Sequence, residues 1–113
     1  VVALWRLKDP SVSLVGLCPQ LAMIVPLAAE IWAQYGAELV ITSANDARHS
    51  TTSLHYDGKA LDFRTKNLPS MNSKKAAVAE LKSRLLEDFD CILEGLGKVN
   101  EHCHVEWQPK RPG

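Results

Sequence analysis

Ser53-Leu54-His55-Tyr56-Asp57-Gly58-Lys59-Ala60-Leu61-Asp62 is the stretch on which the fold reading turns. Asp57-Gly58 is a turn pair, since glycine takes the positive φ that a tight reversal needs. Ala60-Leu61-Asp62-Phe63 reads as a strand leaving that turn. His55 and Asp62 flank the reversal, so a turn there brings their side chains together from neighbouring stretches. Upstream, Glu38 to Thr42 reads as a buried strand centred on Leu39-Val40-Ile41, and a polar loop follows from Ser43 to Ser53.

Working outward from this centre, Asn67 to Ser70 is loop, and Ser70, Asn72 and Ser73 compete to cap a helix. Val78, Leu81, Leu85 and Phe89 give that helix an apolar stripe, and Glu80 with Arg84 forms a favourable i,i+4 pair. Cys91-Ile92-Leu93 is a short strand, Gly95 to Asn100 a turn, and His102 to Trp107 the returning strand. Gln108 to Gly113 reads as a frayed tail. Toward the other end, Val1 to Leu7 is β-prone around Trp5, and Asp9-Pro10-Ser11 signals a turn. Pro19 suits the first position of a helix carrying Leu21, Ile24, Ala28, Ile31, Trp32 and Tyr35, with Gly36 as its stop. Pro26 either kinks this helix or starts a second one. Hairpins with segregated helices predict an α+β fold: residues 1–113 as one small domain, with a mainly antiparallel sheet and two main helices.

The bulk composition narrows the function classes. At 113 residues, with 46% hydrophobic and 23% charged, the chain is ordinary globular protein. Thirteen basic and thirteen acidic residues cancel, so no net charge draws it to nucleic acid or to an anionic membrane. No apolar run approaches the ~20 residues of a membrane span. Cys18, Cys91 and Cys103 are an odd set without a CxxC pair, which argues against a cysteine zinc knuckle and for small buried hydrophobes. The residues from Val1 do not read as a leader, which leaves the compartment open. Nothing in the sequence sets the oligomeric state.

All four histidines lie in two short stretches: His49 and His55 in the loop, His102 and His104 on the last strand. A mononuclear catalytic zinc site takes three protein ligands from His, Asp, Glu or Cys and keeps one position open. His55 and Asp62, with His104 from the adjacent strand, make such a set. Zinc lowers the pKa of a coordinated water to ~7, and a nearby carboxylate must take its proton. Glu101 and Glu106 are the local candidates. Strand alternation puts His102, His104 and Glu106 on one face; Glu101 reaches that face only from the strand entrance or a bulge. Cys103 points away from it.

The stretch from Ser53 to Asp62 matches SxHxxGxAxD, and Glu101-His102-Cys103-His104 matches ExxH. Together they resemble the D-Ala-D-Ala metallopeptidases, which include zinc carboxypeptidases, vancomycin-resistance D,D-dipeptidases and the L-alanyl-D-glutamate endopeptidases of phage lysins. The hedgehog signalling domain shares that fold, and His49-Ser50 through Tyr56 is similar to it. The resemblance runs from about Leu39 to Trp107. It implies Zn2+ held by His55, Asp62 and His104, with Glu101 as general base. Hedgehog domains place their corresponding Glu further upstream, where this chain has Lys98, so the chain sides with the peptidases. Arg48 takes the role of the arginine that supports substrate or intermediate charge, although the usual Gly-Tyr-Arg spacing is missing. His102 is placed beside the metal as an oxyanion donor, not a ligand. The implied substrate is a peptidoglycan stem peptide, or another peptide containing D-amino acids, cut by a carboxypeptidase or endopeptidase. Such an enzyme works at the cell wall, whether secreted, periplasmic or phage-borne. The alternative is a non-catalytic, hedgehog-like zinc-binding module.

Overall fold

The computed structural model describes residues 4–44 and 58–109. In chain order it shows β1 (Trp5–Leu7), α1 (Pro19–Gln34), β2 (Leu39–Ser43), β3 (Ala60–Arg64), α2 (Met71–Arg84), β4 (Phe89–Glu94) and β5 (His102–Trp107). Among the described residues, five strands form one sheet in the order β1-β2-β3-β5-β4. β1 runs parallel to β2, a pairing that requires a crossover, and α1 supplies it. The other neighbours are antiparallel. The fold is α+β with a mainly antiparallel sheet and two helices, as the sequence pattern predicts.

Both helices pack on the sheet through a single core. From α1 come Leu21, Ile24, Val25, Ala28, Ile31 and Trp32; from α2 come Ala77, Val78 and Leu81. Trp32 is fully buried, meets Phe63 edge-on at 6.0 Å, and donates its indole N–H to the Arg64 carbonyl at 2.9 Å. A buried Trp keeps its polar tip satisfied in this way, so the contact adds packing without an orphaned donor. It also fixes β3 against α1 immediately beside Asp62.

Where the sequence leaves choices, the structure decides them. α1 continues unbroken through Pro26, so no second helix starts there. Its dense apolar face offsets the hydrogen bond that an interior proline forfeits. Of the three cap candidates, Ser70 is the N-cap of α2. Its hydroxyl accepts from the Ser73 N–H at 3.0 Å, and the Ser73 hydroxyl accepts from the Ser70 N–H at 2.9 Å. Phe89 is not part of the helix stripe. α2 ends at Arg84 and Phe89 opens β4, because that strand extends beyond Cys91-Ile92-Leu93 at both ends. Gln108 is not frayed: its N–H donates to the Asp88 carbonyl at 2.6 Å.

Gly58 connects the motif to the fold. Its φ is +73°, and a Cβ there would collide with the Gly16 carbonyl oxygen, so only glycine fits. Its own carbonyl accepts from the Cys18 N–H at 2.8 Å, at the N-cap of α1. The start of β3 is thereby tied to the start of α1.

Candidate metal centre

Alternation along two strands builds the site. On β3, Leu61 and Phe63 are fully buried, so Asp62 between them emerges on the opposite face of the sheet. On β5, Cys103 and Val105 turn into the core, while His102, His104 and Glu106 share the other face. Cys103 lies with its sulfur 3.8 Å from that of Cys91, on the core side. Register then aligns the polar groups: Asp62 pairs with His104, Arg64 with His102, and Ala60 with Glu106.

The resulting geometry is tight. His104 Nδ1 lies 2.6 Å from Asp62 Oδ1, and its Nε2 lies 2.8 Å from Glu106 Oε1. His102 Nδ1 donates to the Asn100 carbonyl at 2.6 Å. That bond turns Nε2 toward the cluster, 3.7 Å from Asp62 Oδ1 and 3.3 Å from Glu94 Oε1. Asp62, His102 and His104 each offer a ligand atom, and these atoms lie within 4.8 Å of one another. One carboxylate and two imidazoles are a donor set suited to zinc. The His104–Asp62 hydrogen bond joins two of these donors, and a metal bound there would displace its proton. Glu106 behind His104 forms a carboxylate–histidine pair of the kind that, in metal sites, fixes a ligand's ring and tautomer.

The same contacts shift the titration of His104. The hydrogen bond to the Asp62 carboxylate raises its pKa, partial burial works against this, and Glu106 adds to the rise, giving about 9. A histidine whose folded pKa is raised stabilises the fold fully below its unfolded value, about 6.5, and the contribution is lost as pH rises through about 9. The metal-free protein is therefore expected to lose stability between pH 6.5 and 9 in urea denaturation. In Asp62→Asn that slope should flatten. An unchanged slope in the variant would show that the Asp62–His104 contact is not its source.

Glu101 sits at the entrance to β5 and is buried. Its carboxylate accepts from the Thr65 hydroxyl at 2.6 Å, the Gly97 N–H at 2.8 Å and the Lys74 ammonium at 3.1 Å. Burial alone would raise its pKa, but these three donors together outweigh burial and hold it below the usual carboxylate value. Both oxygens are thus engaged with the end of β3, the first turn of α2 and the β4–β5 loop. His55 and Arg48 lie outside the described residues, as do His49, Ser53 and Tyr56. The structure also brings in residues that the motif reading does not name. Glu94 stands beside His102, Thr65 beneath Glu101, and Arg64 on the site face. Parity with Asp62 two residues earlier is the sequence signal for Arg64.

A cleft of about 790 Å³ opens next to the cluster, with Asp62, His102 and Glu101 in its wall. Comparisons of this chain with protein-family models, curated proteins and solved structures find no match. Among the described residues, no helix is long and apolar enough to cross a membrane.

Proposed function

We propose that this domain is a zinc-dependent peptidase acting on bacterial cell-wall peptides that contain D-amino acids, as a carboxypeptidase or an endopeptidase. The observation that carries the metal reading is the Asp62–His104 pair, with Glu106 behind it and His102 beside it, where Asp62 and His102 line an open cleft. The substrate class rests on the resemblance of the SxHxxGxAxD and ExxH stretches to the D-Ala-D-Ala metallopeptidases.

Asp62 and His104 hold the metal, with His55 as the third ligand implied by the motif. Zinc, when bound, supplies a Lewis acid that polarises a carbonyl and acidifies water. Glu106 keeps His104 in the ligating orientation. Glu101 is the base that the resemblance implies, and to serve it must release Thr65 and Gly97. His102 already faces the cluster, with its Nε2 3.3 Å from Glu94 Oε1. With Nδ1 donating to the Asn100 carbonyl, the ring turns Nε2 toward the cluster, near Asp62 and Glu94. It can take a proton from the attacking water and return it to the leaving amine. Arg48 is assigned the support of developing negative charge.

The engaged state of Glu101 is also what favours a second reading, a hedgehog-like binding module whose zinc is not catalytic. One assay separates the two. Purified peptidoglycan incubated with the zinc-reconstituted protein should release peptides that mass spectrometry detects, and a chelator should stop the release. Zinc binding without any peptide release would support the silent module instead.

A further inference from the structure

We infer that the cleft beside the metal cluster is a carboxylate-binding subsite, in which Arg64, flanked by Lys8 and Lys66, takes an anionic group of the bound peptide. The identity of the peptide rests on the peptidase reading above; the anion site does not. All three cations line the same cleft as Asp62 and His102. Arg64 is half-buried, faces the same side of β3 as Asp62, and pairs in register with His102. Two residues apart on one strand face, Asp62 and Arg64 root their side chains about 7 Å from each other.

Charge is what makes this wall a site. Among the described residues the Arg64 guanidinium makes no hydrogen bond or ion pair; only its backbone carbonyl is used, by Trp32. Lys66 donates to a neutral carbonyl, that of Val99. Lys8 has only an exposed 3.8 Å contact with Asp9. Among the described residues the cleft has two carboxylates, and both are committed, Asp62 to His104 and Glu101 to Lys74. Among the described residues, the wall therefore keeps an uncompensated positive charge next to the candidate metal cluster. A guanidinium fork with free donors fits a carboxylate in bidentate fashion, and such charge-assisted bonds are about twice as strong as neutral ones. Consecutive Cα atoms of a peptide are about 3.8 Å apart. A spacing of about 7 Å thus places the anion on a residue adjoining the bond held at the metal. That anion is either a terminal α-carboxylate or an acidic side chain in this position.

Three dipeptides distinguish the possibilities: N-acetyl-D-Ala-D-Ala, its C-terminal amide, and N-acetyl-D-Ala-D-Glu α-amide, which carries only the side-chain carboxylate. Each is titrated calorimetrically into the full chain with one equivalent of zinc, and into Arg64→Gln. At least one charged peptide should bind on the order of 10-fold tighter than the neutral amide, consistent with a hydrogen-bonded charge pair. The charged peptide that gains identifies the source of the carboxylate. Arg64→Gln should remove the preference while leaving the amide's affinity and the zinc content unchanged, and Arg64→Lys should restore part of it. Equal binding of all three, no binding at millimolar concentration, or a preference that survives Arg64→Gln would overturn the subsite. The peptide-release assay is read separately. A charge preference without hydrolysis would sink the peptidase reading and leave the subsite standing; hydrolysis without a preference would do the reverse.

Discussion

Asp62→Ala should empty the metal centre and abolish chelator-sensitive hydrolysis. Asp62 is the carboxylate that the cluster shares: its Oδ1 lies 2.6 Å from His104 and 3.7 Å from His102. Removing it takes away the anionic donor and leaves imidazoles alone, one of which then loses the partner that orients it. Elemental analysis after reconstitution should fall from about one zinc per chain to none. The fold should survive, since Asp62 contributes no core packing; its neighbours Leu61 and Phe63 do that. His104→Ala should behave the same way. A variant lacking Asp62 that still binds one zinc tightly would move the metal elsewhere.

The second large effect separates two roles on the entry to β5. Glu101→Ala should lower stability by about 3 kcal/mol, because removing one partner of a buried ion pair strands the other. The low end of the usual range applies, since Lys74 keeps some exposure and can regain water: its side chain is 16% exposed, against 1% for Glu101. Urea denaturation measures this. His102→Ala, by contrast, should keep both zinc and stability and lose turnover on the order of 10²-fold, the usual scale for a general base. If Glu101→Ala keeps its stability and its zinc but loses turnover, then Glu101 swings to the water, as the resemblance implies, and His102 is not the base.

The site face follows from simple alternation. A strand with Cys103 and Val105 inward must show His102, His104 and Glu106 outward, and the motif supplies Asp62 from the partner strand. The helices follow from the spacing of Leu21, Ile24, Ala28 and Ile31 and of Val78 and Leu81. The environment of Glu101 does not follow from local pattern. Its partners Thr65 and Lys74 stand 36 and 27 residues away along the chain, and no periodicity links them. Phe89 is similar: its spacing continues the helix stripe, yet the pairing of β4 with β5, from Phe89 opposite Trp107 to Glu94 opposite His102, draws it into the sheet. Tertiary pairing outweighs local propensity there. The fate of Pro26 is likewise decided by the core that α1 covers, which no residue near the proline announces. Arg64 could have been found, since it follows Asp62 by two on the same strand, but a motif that ends at Asp62 draws attention away from it.

The most direct test of the central claim is anomalous diffraction at the zinc edge from crystals of the zinc-reconstituted protein. A single strong peak is expected in the Asp62–His104 pair, with a His104 nitrogen at roughly 2.0–2.1 Å, and with Glu106 still on the far side of that ring. His102 should lie nearby without bonding to the ion. No peak at Asp62 and His104, or one only at surface residues elsewhere, would contradict a zinc centre here and with it the peptidase built on it.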